Sequence, residues 1–144
     1  MTASRILFID TAVSDIGVLL GNLQPDAEAV LLDGTRPAPE QMETVMRDRR
    51  GLREVHIMAH GEPGEVWFAA GRLSADTLEG HAAALASLGR ALCGGGVHLW
   101  SCRTGRGSEG KAFLAAFSKI VGAPVLAATY LASDAAPLGL GQAA

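Results

Sequence analysis

The chain has little of what staples a protein, stiffens it, or charges it in one direction. Aromatic residues make up 5% of its 144 positions, and there are only two cysteines, Cys93 and Cys102. Two thiols cannot build the disulfide framework on which small secreted domains depend, so stability must come from aliphatic burial. The chain is long enough for that. Hydrophobic residues are 49% of the sequence, and a domain near this size buries roughly 70% of its unfolded surface. An excess of one charge is also missing. The 12 Lys and Arg stand against 15 Asp and Glu in short mixed clusters, for a net charge of −3. There is no basic stripe to neutralise phosphates, and nucleic acid is not an expected partner. No uninterrupted apolar run approaches the ~18 residues that span a bilayer. Residues 1–10 do not pair a basic region with a long apolar segment, as a secretory leader does. The expectation is a small cytoplasmic domain that does not insert into membranes.

Short apolar runs alternate with segments of helical period, the pattern of a parallel sheet covered on both faces. The first strand is Arg5-Ile6-Leu7-Phe8-Ile9-Asp10. Ser14 is placed to cap a helix carrying Ile16, Leu19, Leu20 and Leu23 at spacings of three and four. Ala29-Val30-Leu31-Leu32 is the second strand, and Pro39 opens a helix with the stripe Met42, Val45, Met46 that runs to Gly51. The third strand is 54–60, ending at His60. Val66-Trp67-Phe68 and Arg72-Leu73 predict a small hairpin. Ser74 then caps a long helix through Leu92, which Gly94, Gly95 and Gly96 terminate. The fourth strand is 97–102, a helix carrying Phe113, Phe117 and Ile120 stops at Gly122, and the fifth strand is 125–129. The predicted fold is a three-layer α/β sandwich of about five mostly parallel strands, order 2-1-3-4-5. One domain fills residues 1–133, and 134–144 form an Ala/Gly-rich tail.

Open parallel sheets bind ligands at the carboxyl ends of their strands. That edge here carries Asp10, Asp33, His60, Cys102 and Thr129. A thiolate nucleophile needs an imidazole to take its proton and return it to the leaving group, which singles out His60 and Cys102. If strands three and four are neighbours in register, His60 lies level with Cys102, Met58 with Trp100 and His56 with His98, all on one face. A cysteine at a strand end is more often a small buried hydrophobe. Gly61 favours the catalytic reading, because its N–H, with that of Cys102, can form an oxyanion hole.

Strand–His60–Gly61 followed by Trp100-Ser101-Cys102-Arg103-Thr104-Gly105 resembles the caspase-like, or clan CD, cysteine peptidases. Phe8-Ile9-Asp10, Ala59-His60-Gly61-Glu62-Pro63-Gly64 and Ser101-Cys102, in that order, more closely resemble a bacterial domain of unknown function found at the N-termini of large repeat-containing adhesins. The likeness runs from residue 5 to about 140. It implies a caspase-like fold, Cys102 as nucleophile, His60 as general base and acid, Gly61 and Cys102 as the oxyanion hole, and Asp10, Trp100 and Arg103 toward the substrate. Trp100 departs from the acid of metacaspases and the Gln of caspases. The implied activity is that of a cysteine endopeptidase, with self-processing as one mode, with a protein or peptide as substrate and with neither cofactor nor metal.

Other signals carry less. Gly105-Arg106-Gly107-Ser108-Glu109-Gly110 matches the dinucleotide fingerprint, but it follows the fourth strand and no acid stands on the next one. Bending the chain around Cys102 is the simpler use of these glycines. His56 and His98 form a pair about 13 Å along the strand from His60 and Cys102, too far to share an ion. Trp67 and Phe68 either pack over the sheet or present a contact patch, packing being the commoner outcome. A non-catalytic interaction or targeting module, or a small-molecule or nucleotide-binding domain, remains the alternative reading.

Overall fold

The computed structural model describes residues 4–13, 16–21, 25–101 and 103–127. The cap expected at Ser14, the Leu23 anchor, the candidate nucleophile Cys102, the strand end at Thr129 and the 134–144 tail lie outside the described residues. In chain order the elements are β1 (Arg5–Asp10), α1 (Ile16–Gly21), β2 (Ala27–Leu32), α2 (Ala38–Met46), β3 (Leu52–Met58), β4 (His60–Glu62), β5 (Glu65–Phe68), β6 (Gly71–Ser74), a 3₁₀ turn (Glu79–His81), α3 (Ala82–Ala91), β7 (Leu92–Trp100), α4 (Gly107–Val121) and β8 (Val125–Ala127).

The main sheet has the order β2-β1-β3-β7-β8, and each neighbouring pair is parallel. Its strands are β-rich apolar runs because both faces are covered. Parallel crossovers are right-handed. The chain steps one way from β1 to β2 and the other way for every later crossover, so α1 covers one face while α2, α3 and α4 cover the other. The core on that second face joins Ile6, Phe8, Val55, Ile57, Val97 and Leu99 of the strands to Met42, Met46, Leu85, Leu88, Phe113 and Phe117 of the helices. Each large side chain fully buried there contributes roughly 1.5–3 kcal/mol. Gly122 ends α4 in the left-handed conformation, with φ of 79°, as the helix-stop reading requires. No helix among the described residues is long and apolar enough to cross a membrane.

Several boundaries differ from the sequence expectation, among them the fourth strand, which ends at Trp100 and not at 102, and the helix expected to reach Gly51, which ends at Met46. The third strand stops at Met58, and His60 instead opens β4, the first strand of a separate antiparallel sheet β4-β5-β6. Ser74 closes β6 rather than capping a long helix. Its carbonyl accepts from the N–H groups of Thr77 and Leu78, and α3 begins only at Ala82. The glycine run does not end a helix but lies inside β7. Leu52 pairs with Leu92 while Glu54 pairs with Gly96, so β7 carries extra residues there and bulges. Gly94 takes φ of +81°, and a Cβ on Gly95 would fall 1.5 Å from the Arg53 carbonyl oxygen. Only glycine fits this approach.

Candidate functional site

β1, β3 and β7 end side by side, and the crossover direction reverses at β1, the position where α/β sheets open a binding crevice. Asp10 ends β1 and is fully buried. Its Oδ2 accepts the Ala12 N–H at 3.0 Å, and its Oδ1 accepts the Ala69 N–H at 2.9 Å. The carboxylate therefore ties the loop after β1 to the turn between β5 and β6. Its side chain meets backbone, whereas the resemblance implied a place toward substrate.

That tie reaches His60. The exposed imidazole places Nε2 at 2.9 Å from the Ala12 carbonyl oxygen. A carbonyl only accepts, so Nε2 carries a proton, and in the neutral form of the ring the lone pair lies on Nδ1. In that tautomer the ring is oriented by the carbonyl of Ala12, the residue whose N–H the Asp10 carboxylate accepts.

The loop after β7 is fastened to the small sheet. Thr104 is fully buried, and its hydroxyl donates to the Glu65 carbonyl at 2.8 Å. That leaves the Ser101 hydroxyl to donate to Thr104 Oγ1 at 2.6 Å. The Gly64 N–H closes the link on the Thr104 carbonyl at 2.9 Å. Gly61 makes room for this contact, since a Cβ there would sit 2.2 Å from Thr104 Oγ1 and 2.8 Å from the Glu65 oxygen. Arg103, next to Cys102 in the chain, has φ of 61°, alone among described non-glycine residues in being positive. Such strain collects at functional turns. Its exposed guanidinium lies 3.6 Å from Glu62. Gly110 packs against this loop as well, with a Cβ there reaching 2.2 Å from the Gly105 carbonyl carbon, so two glycines of the fingerprint serve close packing.

Trp100 is buried, and its indole N–H donates to His56 Nδ1 at 2.8 Å. The register of Met58 with Trp100 and of His56 with His98 matches the expectation. The two imidazoles stack at 4.8 Å between centroids. Because Nδ1 accepts from Trp100, His56 Nε2 keeps its proton and donates it to Glu54 at 2.9 Å. Burial outweighs that hydrogen bond and brings the His56 pKa down to about 4. Burial also lowers His98. Glu54, His56 and His98 bring ligand atoms within 4.8 Å of one another, yet a cation at His56 Nε2 would displace a proton from a ring whose other nitrogen is already committed. Arg5, 3.1 Å from Glu54, adds a positive charge to the same place. The group is a partly buried polar network and not a good cation site.

Sequence reasoning missed Ala12, which acts through its carbonyl and so leaves no residue-type signal. It also passed over Thr104, although that residue stands in the Ser101-Cys102-Arg103-Thr104-Gly105 motif.

No curated protein and no solved structure matches the chain. A family model described as a domain of unknown function, DUF4347, matches residues 6–139. With nearly the whole described fold inside that match, the chain belongs to this family of domains of unknown function.

Proposed function

We propose that the protein is a cysteine endopeptidase of caspase-like type, with Cys102 as nucleophile and His60 as general base and acid. The observation that carries this reading is the held imidazole. His60 is exposed at the sheet edge with its Nε2 proton engaged by the Ala12 carbonyl, so Nδ1 is the atom equipped to accept a proton. In the first step the Cys102 thiol gives its proton to Nδ1 while sulfur attacks the peptide carbonyl carbon. Collapse of the tetrahedral intermediate breaks the C–N bond, and the His60 imidazolium protonates the leaving amine. Water, deprotonated by His60, then hydrolyses the thioester and returns the free thiol. The N–H groups of Gly61 and Cys102 are assigned to the developing oxyanion. The resemblance to adhesin N-terminal domains makes a segment of a longer chain a candidate substrate, hence self-processing.

Cys93 is free and exposed and serves as the internal reference for the test. Iodoacetamide at pH 7, followed by mass spectrometry of the two cysteine peptides, should label Cys102 at least ~10-fold faster than Cys93. His60→Ala should remove the difference. Equal rates in the parent chain, unchanged by His60→Ala, would make the domain a non-catalytic module. A peptide library cut by the parent and spared by Cys102→Ala completes the assignment.

A further inference from the structure

The small sheet sorts its residues by alternation. Gly61, Val66, Phe68 and Leu73 face inward and are buried, whereas His60 and Arg72 are exposed and Trp67 is half-buried. His60 pairs with Trp67, and Trp67 with Arg72. The three side chains therefore form one row across the outer face. The guanidinium carbon of Arg72 lies 4.7 Å from the centroid of the Trp67 ring.

Charges on this face are unevenly matched. Glu65 accepts the Trp67 indole N–H at 2.7 Å, and Glu62 faces Arg103 at 3.6 Å. Both carboxylates thus have partners, while Arg72 makes no ion pair with any described carboxylate. An arginine held over an aromatic ring keeps its donors available and loses little further entropy when a carboxylate arrives. Arg72 also borders a cavity of ≈230 Å³ whose lining includes Pro37, Pro39, Phe68 and Leu73.

We propose that the outer face of the β4-β5-β6 sheet is the substrate-recognition surface, and that Trp67 with Arg72 selects peptides carrying an acidic side chain on one side of the cleaved bond. This rests on the peptidase reading of His60 and names the substrate class for that site. Two strand spacings of about 4.8 Å separate His60 from Arg72. An extended peptide advances ~3.3 Å per residue, which sets the acid about three residues from the bond that His60 serves. Trp67 supplies the floor between them and stacks on the intervening backbone and side chains.

The test uses the full chain carrying Cys102→Ala and three pools of end-capped octapeptides, with Glu, Gln or Lys fixed at a single position. Binding is read by intrinsic tryptophan fluorescence. The Glu pool should bind roughly three- to tenfold more tightly than the Gln pool at low salt, with the gap narrowing in 1 M NaCl. Arg72→Gln should bring the Glu and Gln pools together, and Arg72→Glu should favour the Lys pool. No preference for Glu in the parent, or a preference that survives Arg72→Gln, overturns the proposal. Because binding needs no turnover, the two ideas fail separately. Acid-selective binding through Arg72 without cleavage by the Cys102 form keeps this surface and removes the peptidase. Cleavage indifferent to acids does the reverse.

Discussion

The Trp100 indole N–H donates to Nδ1 of His56 at 2.8 Å, and this one bond decides where a fully buried imidazole keeps its own proton. Trp100→Phe leaves Nδ1 buried without that donor. Urea denaturation should show a loss of about 1–3 kcal/mol, in addition to any packing change from the smaller ring.

The same imidazole sets a pH dependence. An unfolded histidine takes up a proton below its ordinary value of 6.5, whereas His56 in the fold resists protonation until about 4. Between those limits the unfolded chain binds more protons, so stability rises with pH across the window and falls on acidification by ~3 kcal/mol. His98, lowered by burial, acts in the same direction. His56→Gln can accept from Trp100 and donate to Glu54, yet it does not titrate. Denaturation midpoints measured from pH 4 to pH 7 should be flatter for this variant than for the parent.

Asp10 shares Ala12 with His60. Its oxygens hold the N–H groups of Ala12 and Ala69, and Ala12 holds the imidazole. Asp10→Asn replaces one acceptor with a donor facing a donor, at a cost of about 1–3 kcal/mol. The pH profile of Cys102 alkylation should also shift, since the His60 ring loses its fixed orientation. A stability loss with an unchanged profile would restrict Asp10 to scaffolding.

Thr104 links two segments through its hydroxyl. Thr104→Val keeps the shape and removes the bonds to Ser101 and the Glu65 carbonyl, leaving buried polar atoms unpaired at about 1–3 kcal/mol. Alkylation of Cys102 should slow relative to Cys93. Thr104→Ser, which restores the hydroxyl, should recover most of the rate.

Much of the scaffold is legible in the sequence where the signal is local. The five parallel strands themselves follow from apolar runs alternating with helical stripes, and Gly122 marks the end of α4 by ordinary stop chemistry. The pairing of His56 with His98 follows from counting along two strands that both have clear cores, Ile57 in one and Leu99 in the other. The place of His60 does not follow. Its strand is only His60-Gly61-Glu62, too short to display alternation, and its partner Trp67 is fixed by nonlocal pairing. Gly94, Gly95 and Gly96 misled for a different reason. A glycine cluster after a helical stripe usually ends the helix, but here the close approach of the Arg53 carbonyl demands it within a strand. At the candidate site, the backbone carbonyl of Ala12 that holds His60 leaves no mark in the sequence.

The bulge in β7 separates two tasks that a regular strand would couple. Before it the ladder is set by Leu52 with Leu92, and beyond it by Val55 with Val97 through Met58 with Trp100. A change at the Leu52–Leu92 pairing therefore does not by itself alter the register beyond the bulge, as a step in a ladder's lower rungs leaves the upper ones level. The end of β7, with Ser101 just beyond it, is thereby separated from variation at the strand's beginning.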